Sequence, residues 1–260
     1  MPGTFLPISP ASGSVVTCSI YPPVRAILLD IEGTTTPIEF VFEVLFPYAR
    51  SQTERFLERY GSSPGVLEDL HGLRHENLND TRQGFNPPDL MDPCPPASFV
   101  AYIGWLIERD RKSTPLKSLQ GKIWAEGYAN GDLRSQVFDD VPPALERWQR
   151  QNRTIAIFSS GSVLAQKLLF AHTTAGDLTR FLSAHFDTTF GAKTDPASYE
   201  KIAKMLERSP AEIVFVSDVV SELDGAEAAG LQVLLCQRPG NHPQPKSAYN
   251  VIRTLDQLFP

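Results

Sequence analysis

Arg25 to Phe40 reads RAILLDIEGTTTPIEF, and the change of character inside it decides the fold. Ala26 to Leu29 and Ile31 are apolar without alternation, the pattern of a strand covered on both faces in a parallel sheet. Set into that run is a carboxylate, Asp30, with a second, Glu32, two positions on, and then Gly33 and three threonines. A buried strand that ends in charge needs a reason, and in open α/β sheets ligands sit outside the carboxyl ends of the strands. Gly33 would let the chain turn sharply away at that point.

The same pattern recurs downstream. TIAIFSS (Thr154 to Ser160) and EIVFVSD (Glu212 to Asp218) are apolar on both alternating faces, and LQVLLC (Leu231 to Cys236) reads as a fourth strand. PPALERWQRQN, VLAQKLLFAH, ASYEKIAKMLE and SELDGAEAAG carry helical patterns between them, the last closed by Gly230. Strand and helix in alternation predict an α/β fold, a Rossmann-like parallel sheet. The strand ends then present Asp30, Ser159 with Ser160, and Asp218 to one crevice. Any one strand-end Asp is more often the N-cap of the next helix than a catalyst; the set together reads otherwise.

The stretch between the first and second strands is far longer than a crossover connection and is expected to carry its own structure. FVFEVLFPYARSQTERFLERY and SFVAYIGWLIERDRK have apolar residues at helical spacing, whereas RHENLNDTRQGFNPPDLMDPCPPAS is polar and proline-rich and reads as a loop. The expected organisation is a flexible N-terminal extension over 1–24, a core domain over 25–35 and 142–260, and an inserted, mainly helical cap domain over 36–141. Phe42, Phe46 and Tyr48 read as core formers of the cap. His71 and His75 have the spacing of two metal ligands on one helical face but no third nearby, so they read as a solvated face.

A net charge of −6 and the absence of a basic stripe argue against nucleic acid as a partner. Cys18, Cys94 and Cys236, odd in number and widely spaced, indicate neither a disulfide framework nor a zinc site, and fit a reducing compartment. The first 24 residues lack the cationic start of a targeting peptide, and no apolar run reaches a membrane span.

A carboxylate at the mouth of a parallel sheet can attack phosphorus if a cation screens the repulsion. Mg²⁺ takes hard oxygen ligands and only one or two protein carboxylates, which Asp30 and Asp218 can supply. Glu32 can protonate a leaving alkoxide and later deprotonate water. Ser159 and the amides of SSGS can donate to phosphoryl oxygens at a helix start, and Lys193 in FGAKTDPASYEKI can add a cation. Similar groups gather in signalling receiver domains, which carry no such insertion after the first strand.

The order Asp30, Ser159, Lys193, Asp218 resembles the haloacid dehalogenase-like superfamily. LLDIEGTTTPIEFV, LKSLQGKIWAEGYANGDL, IFSSGSVLAQKLLFAHTTAGDL, HFDTTFGAKTDPASYEKIA and VFVSDVVSELDGAEAAG together resemble one branch of it, the enolase-phosphatase (acireductone synthase) family. Many superfamily members have Asp where this chain has Glu32. The resemblance implies a haloacid dehalogenase-type core with a helical cap. It also implies an enzyme of methionine salvage that enolises 2,3-diketo-5-methylthiopentyl-1-phosphate and then hydrolyses its phosphate through an aspartyl-phosphate. On that resemblance one Mg²⁺ per subunit is held by Asp30, Glu32 and Asp218. Ser159 and Ser160 contact substrate, Lys193 binds its phosphate, and Asp30, Glu32 and Lys193 are catalytic. Whether Glu32 serves through its backbone carbonyl or its side chain stays open, as does the base for enolisation; a phosphatase of another sugar phosphate is the alternative. A cytoplasmic monomer, present also in the nucleus and needing neither membrane nor nucleic acid, completes the expectation.

Overall fold

The structure is a computed structural model that describes residues 24–109, 111 and 113–260. The expected N-terminal extension lies outside the described residues except for Val24, which is buried against the sheet. In chain order, β1 (Ala26–Leu29) leads to a stretch of π-helix, Phe40–Leu45, that runs into α1 (Phe46–Tyr60). Then come α2 (Pro64–Arg82), α3 (Phe99–Glu108), α4 (Thr114–Asn130) and α5 (Val141–Arg150). The rest alternates: β2 (Thr154–Phe158), α6 (Val163–Ala171), β3 (Ala184–Phe186), α7 (Pro196–Met205), β4 (Ile213–Ser217), α8 (Val220–Ala228), β5 (Gln232–Cys236) and β6 (Val251–Ile252).

The strands form one parallel sheet in the order β3-β2-β1-β4-β5-β6. Its two-residue period sorts the apolar side chains onto two faces. Ile27, Leu29, Ile155, Ile157, Val214 and Val216 face α5 and α6, where Trp148 is buried and donates from Nε1 to Leu258 O at 2.9 Å. Ala26, Leu28, Phe158, Ile213 and Phe215 face α7 and α8 through Tyr199, Ile202, Leu223 and Ala226. Both faces are covered, which is why these strands read as continuous apolar runs. The strand order reverses direction at β1, flanked by β2 and β4, and such a switch opens a crevice at the carboxyl ends.

β3 and β6 were not read from the sequence: at three and two residues they are too short to show a period. The expected loop over 74–98 is corrected in its first part, because α2 continues to Arg82. The buried side of its last two turns is polar. Asn77 donates to Pro88 O at 2.9 Å, and Asp80 accepts from the Tyr102 hydroxyl at 2.8 Å and pairs with Arg111 at 2.5 Å. Inward-facing polar residues with partners hide the helical period that apolar ones would display. His71 and His75 are exposed on α2.

The π-helix and α1 to α4 share a hydrophobic cluster of their own, with Phe40, Leu45, Phe56, Leu73, Tyr102, Leu106, Leu119 and Trp124 at its centre. Ala165 and Leu168 of α6 pack against it, seating the helical unit over the carboxyl ends of the strands. Val137, Phe138 and Val141 pack with the sheet instead. Phe46 and Tyr48 are partly buried, as expected of core formers, but Phe42 is 48% exposed, because the π-helix turns it outward.

Candidate active site

Asp30 is the first residue beyond β1. Its N–H donates to Val216 O at 3.0 Å, extending the β1–β4 ladder and placing the buried carboxylate at the mouth of the sheet. The chain then folds back on itself, with the amides of Thr34, Thr35 and Thr36 all donating to Ile31 O at 2.9–3.1 Å. Gly33, at φ +72°, makes this turn possible. A Cβ there would collide with Asp218 Oδ2 and come within 2.9 Å of Asn241 Oδ1, so only glycine fits.

Lys193, in the loop between β3 and α7, is buried, with Nζ 2.5 Å from Asp30 Oδ1 and 2.6 Å from Glu222 Oε2. The Tyr199 hydroxyl lies 2.6 Å from Lys193 O and 3.0 Å from Glu222 O, tying this loop to the first turn of α8. Ser159, one residue past β2, donates from Oγ to Glu32 Oε2 at 3.3 Å and accepts from Gly161 N at 3.1 Å. Ser160 presents its carbonyl to Lys117 Nζ at 2.9 Å. The helix expected over VLAQKLLFAH starts at Val163, just after SSGS: Ser162 caps α6, accepting from Ala165 N, and Asp187 Oδ2 accepts from Val163 N. Asp218 is not a cap, since α8 has Val219 at that position.

Asp30, Glu32, Ser159, Lys193 and Asp218 therefore gather around the mouth of the sheet, with Ser160 on the adjoining loop. Glu222 is one residue the sequence reading missed, as is Asn241. Glu222 accepts from Ser217 Oγ at 2.8 Å as well as from Lys193, and its signal was its place four residues after Asp218, one helical turn on.

Four carboxylates, Asp30, Glu32, Asp218 and Glu222, thus face one ammonium. Burial pushes the Asp30 carboxyl well above its ordinary range; Lys193 opposes the shift, and Glu222, Glu32 and Asp218 add to it. Burial and then Glu222 push Asp218 up to about 6. For Lys193 burial alone would favour the neutral amine, but Asp30 and Glu222 outweigh it and hold the ammonium above its usual value. Such a surplus of negative charge is what a divalent cation relieves.

A second observation points the same way. Asn241 Nδ2 donates to Gly33 O at 3.0 Å and Cys236 O at 3.3 Å, which fixes the orientation of the amide. Its Oδ1 is left buried beside Asp218 with no partner among the described residues. An acceptor in that position suits a donor such as a metal-bound water. No group of three or more His, Cys, Asp or Glu forms a protein-only cage among the described residues. The donor set fits a cation that keeps water and substrate oxygens, as Mg²⁺ does.

Next to these groups a cavity of about 100 Å³ lies between sheet and helices. Glu32, Ser159 and Ser160 line its sheet side; Val41, Leu45, Phe46, Leu106 and Trp124 make the far side apolar, with Lys117 and Gln120 between.

Residues 24–230 match the haloacid dehalogenase-like hydrolase family. The enolase-phosphatase E1 of Synechococcus elongatus is 49% identical over 235 residues, covering 90% of this chain and 98% of that protein. The chain belongs to the enolase-phosphatase E1 family of haloacid dehalogenase-like hydrolases. The enolase-phosphatase E1 of Drosophila melanogaster is 45% identical, covering 84% of each chain. Among solved structures, the UTR4 protein of Saccharomyces cerevisiae superposes with a TM-score of 0.70 at 32% identity, over 89% of this chain and 98% of that one. The enolase-phosphatase match spans helices and sheet alike, so the apolar cavity and the acidic strand ends fall within one shared framework.

Proposed function

We infer that the protein is an enolase-phosphatase of methionine salvage. It enolises 2,3-diketo-5-methylthiopentyl-1-phosphate and then hydrolyses the phosphate, giving the acireductone 1,2-dihydroxy-3-keto-5-methylthiopentene. The observation that carries this reading is the 42–49% identity to enolase-phosphatases over about 90% of the chain. We read the helical unit over 36–141 as a cap on the core, with its last few residues, Val137 to Val141, packed with the core.

In this reading Asp30 is the nucleophile and forms the aspartyl-phosphate. Lys193, 2.5 Å away, opposes the upward push of burial on its carboxyl and aligns it, and binds the phosphoryl oxygens. Ser159 and Ser160 hold the phosphate and the adjoining chain. Glu32, reached by Ser159 Oγ, supplies a proton to the leaving oxygen and takes one from the hydrolytic water. Asp30 and Asp218, with the backbone carbonyl of Glu32, would hold one Mg²⁺, and Asn241 Oδ1 would accept from its hydration shell. When bound, Mg²⁺ screens the phosphate from the attacking carboxylate and polarises a substrate carbonyl. The apolar far wall of the cavity takes the methylthio end. Every group needed comes from one chain, in keeping with a monomer. Cys94 and Cys236 are free thiols, in keeping with the cytoplasm or nucleus, and no helix among the described residues is long and apolar enough to cross a membrane.

The test is an assay of phosphate release from the diketo phosphate against a panel of sugar phosphates, with and without Mg²⁺. Preference for the diketo phosphate supports the reading; equal or better turnover of a sugar phosphate contradicts it.

A further inference from the structure

Loss of a proton from C1 requires that the carbonyl polarised for enolisation be C2. The C3 carbonyl then lies one carbon further from the phosphate, toward the apolar wall of the cavity. The residues between the sheet side and that wall come from α4. Leu116, Gln120, Trp124 and Tyr128 recur every four residues on one face of this helix, and all four line the cavity. The other polar side chains that the helical unit brings there have partners within the protein. Trp124 Nε1 donates to Leu45 O at 2.9 Å, and the Tyr128 hydroxyl meets Ser135 Oγ at 2.6 Å. Arg111 pairs with Asp80 at 2.5 Å, and Lys117 Nζ donates to Ser160 O at 2.9 Å. Gln120 differs. It is 5% exposed, it lines the cavity, and its side-chain amide has no hydrogen-bond partner among the described residues. A buried amide without a partner is costly, and one that faces a cavity can be satisfied by a ligand.

We propose that Gln120 is a specificity-determining residue, its side-chain Nε2 donating to the C3 carbonyl oxygen of the substrate. The proposal rests on the enolase-phosphatase reading and deepens it, because it assigns the group by which a 2,3-diketone is told from a monoketone. The order of groups along the substrate follows the order along the cavity. The phosphate lies on the side of Ser159 and Ser160, the methylthio end lies against Leu45 and Trp124, and the C3 oxygen falls between them. Amide and carbonyl each lose water on binding, and each supplies what the other lacks in apolar surroundings. C3 stays a carbonyl through enolisation and hydrolysis, so the same donor serves substrate, enol phosphate and acireductone, and keeps C1 in register while bonds change beside it. A ligand with a methylene at C3 leaves the buried amide unpaired and is disfavoured for that reason.

The test compares two phosphonates, each with CH₂ in place of the bridging oxygen so that phosphorus cannot leave: the 2,3-diketone, and the 2-ketone with a methylene at C3. Titration calorimetry with Mg²⁺ gives the Kd of each for the parent, for Q120M, which keeps the length of the side chain without its amide, and for Q120N, which draws the amide back by one methylene. The readout is the ratio of the two Kd values within each protein, which general damage to the fold does not move. The parent should bind the diketone at least about tenfold more tightly than the monoketone, and both variants should bring that preference below about twofold. A parent without the preference, or a preference kept at the parent value in either folded variant, would overturn the proposal. Pentylphosphonate, which has the charge and neither carbonyl, separates this from a failure of the underlying reading. If the parent binds the diketone no more tightly than pentylphosphonate, the enolase-phosphatase reading fails and the role of Gln120 with it; if it binds the diketone more tightly but the ratio ignores residue 120, the reading stands and the role of Gln120 alone falls.

Discussion

Lys193 sits between two carboxylates, and the consequences can be separated by substitution. On the proposed reading Asp30→Asn removes the nucleophile and keeps the shape, so phosphate release should fall to background while the melting curve is retained; acid-quench trapping with labelled substrate should find phosphate on Asp30 in the parent only. Glu222→Gln keeps a hydrogen-bond acceptor for Ser217 and Lys193 but removes one charge. Lys193 then has Asp30 alone to hold it, and turnover should fall by roughly tenfold, the size of one charge-assisted contact. An unchanged kcat would show that Glu222 is a bystander. Asp30, Ser159 and Asp218 were legible because each interrupts or follows an apolar strand with chemistry that packing does not require, and Lys193 through the order of the four along the chain. Glu222 was not, because a Glu in the first turn of a helix has an ordinary explanation in the helix dipole. Only its 2.6 Å approach to Lys193, from across the sheet mouth, distinguishes it.

Packing between elements reaches the site through α8. Gly225 lies against the backbone of the Lys193 loop, where a Cβ would come within 2.8 Å of the Thr194 carbonyl carbon and oxygen and 3.1 Å of Lys193 O. Backbone cannot yield as a flexible side chain can. Gly225→Ala should destabilise the protein by about 1–3 kcal/mol, as overpacking does, and should lower activity by displacing Lys193 from Asp30. Denaturant melts and steady-state kinetics together check this, and loss of stability with full activity would refute the coupling. Elements such as β1, β2 and β4 were readable because burial on both faces leaves an apolar run. β3 and β6 take their strand geometry from their neighbours, through pairs such as Ala156 with Ala184 and Cys236 with Ile252, and a single sequence does not display that. The last two turns of α2 were hidden for the opposite reason, since Asn77 and Asp80 face inward and find partners on the loop, α3 and Arg111.

Sheet and helical unit meet at a mouth carrying more negative than positive charge, and the folded protein carries that cost when no cation is present. Mg²⁺ at a hundred times its dissociation constant should stabilise the protein by about 2.7 kcal/mol, a rise in melting temperature of roughly 5–10 °C for a chain of this size. Chelator should reverse the rise and silence activity, and Asp218→Asn should blunt both effects; a melting temperature indifferent to Mg²⁺ would remove the cation from this site. The cavity joins the acidic mouth to an apolar wall supplied by the inserted helices, and the claim that follows is that one site both enolises and dephosphorylates. The most direct measurement is to mix the protein and Mg²⁺ with 2,3-diketo-5-methylthiopentyl-1-phosphate without oxygen, and to follow enediol absorbance and free phosphate together. The account predicts that both appear, that both vanish with chelator, and that Asp30→Asn forms the enol phosphate without releasing phosphate. Phosphate released at the parent rate with no enol at any time, from this ester and from simple sugar phosphates alike, would contradict it.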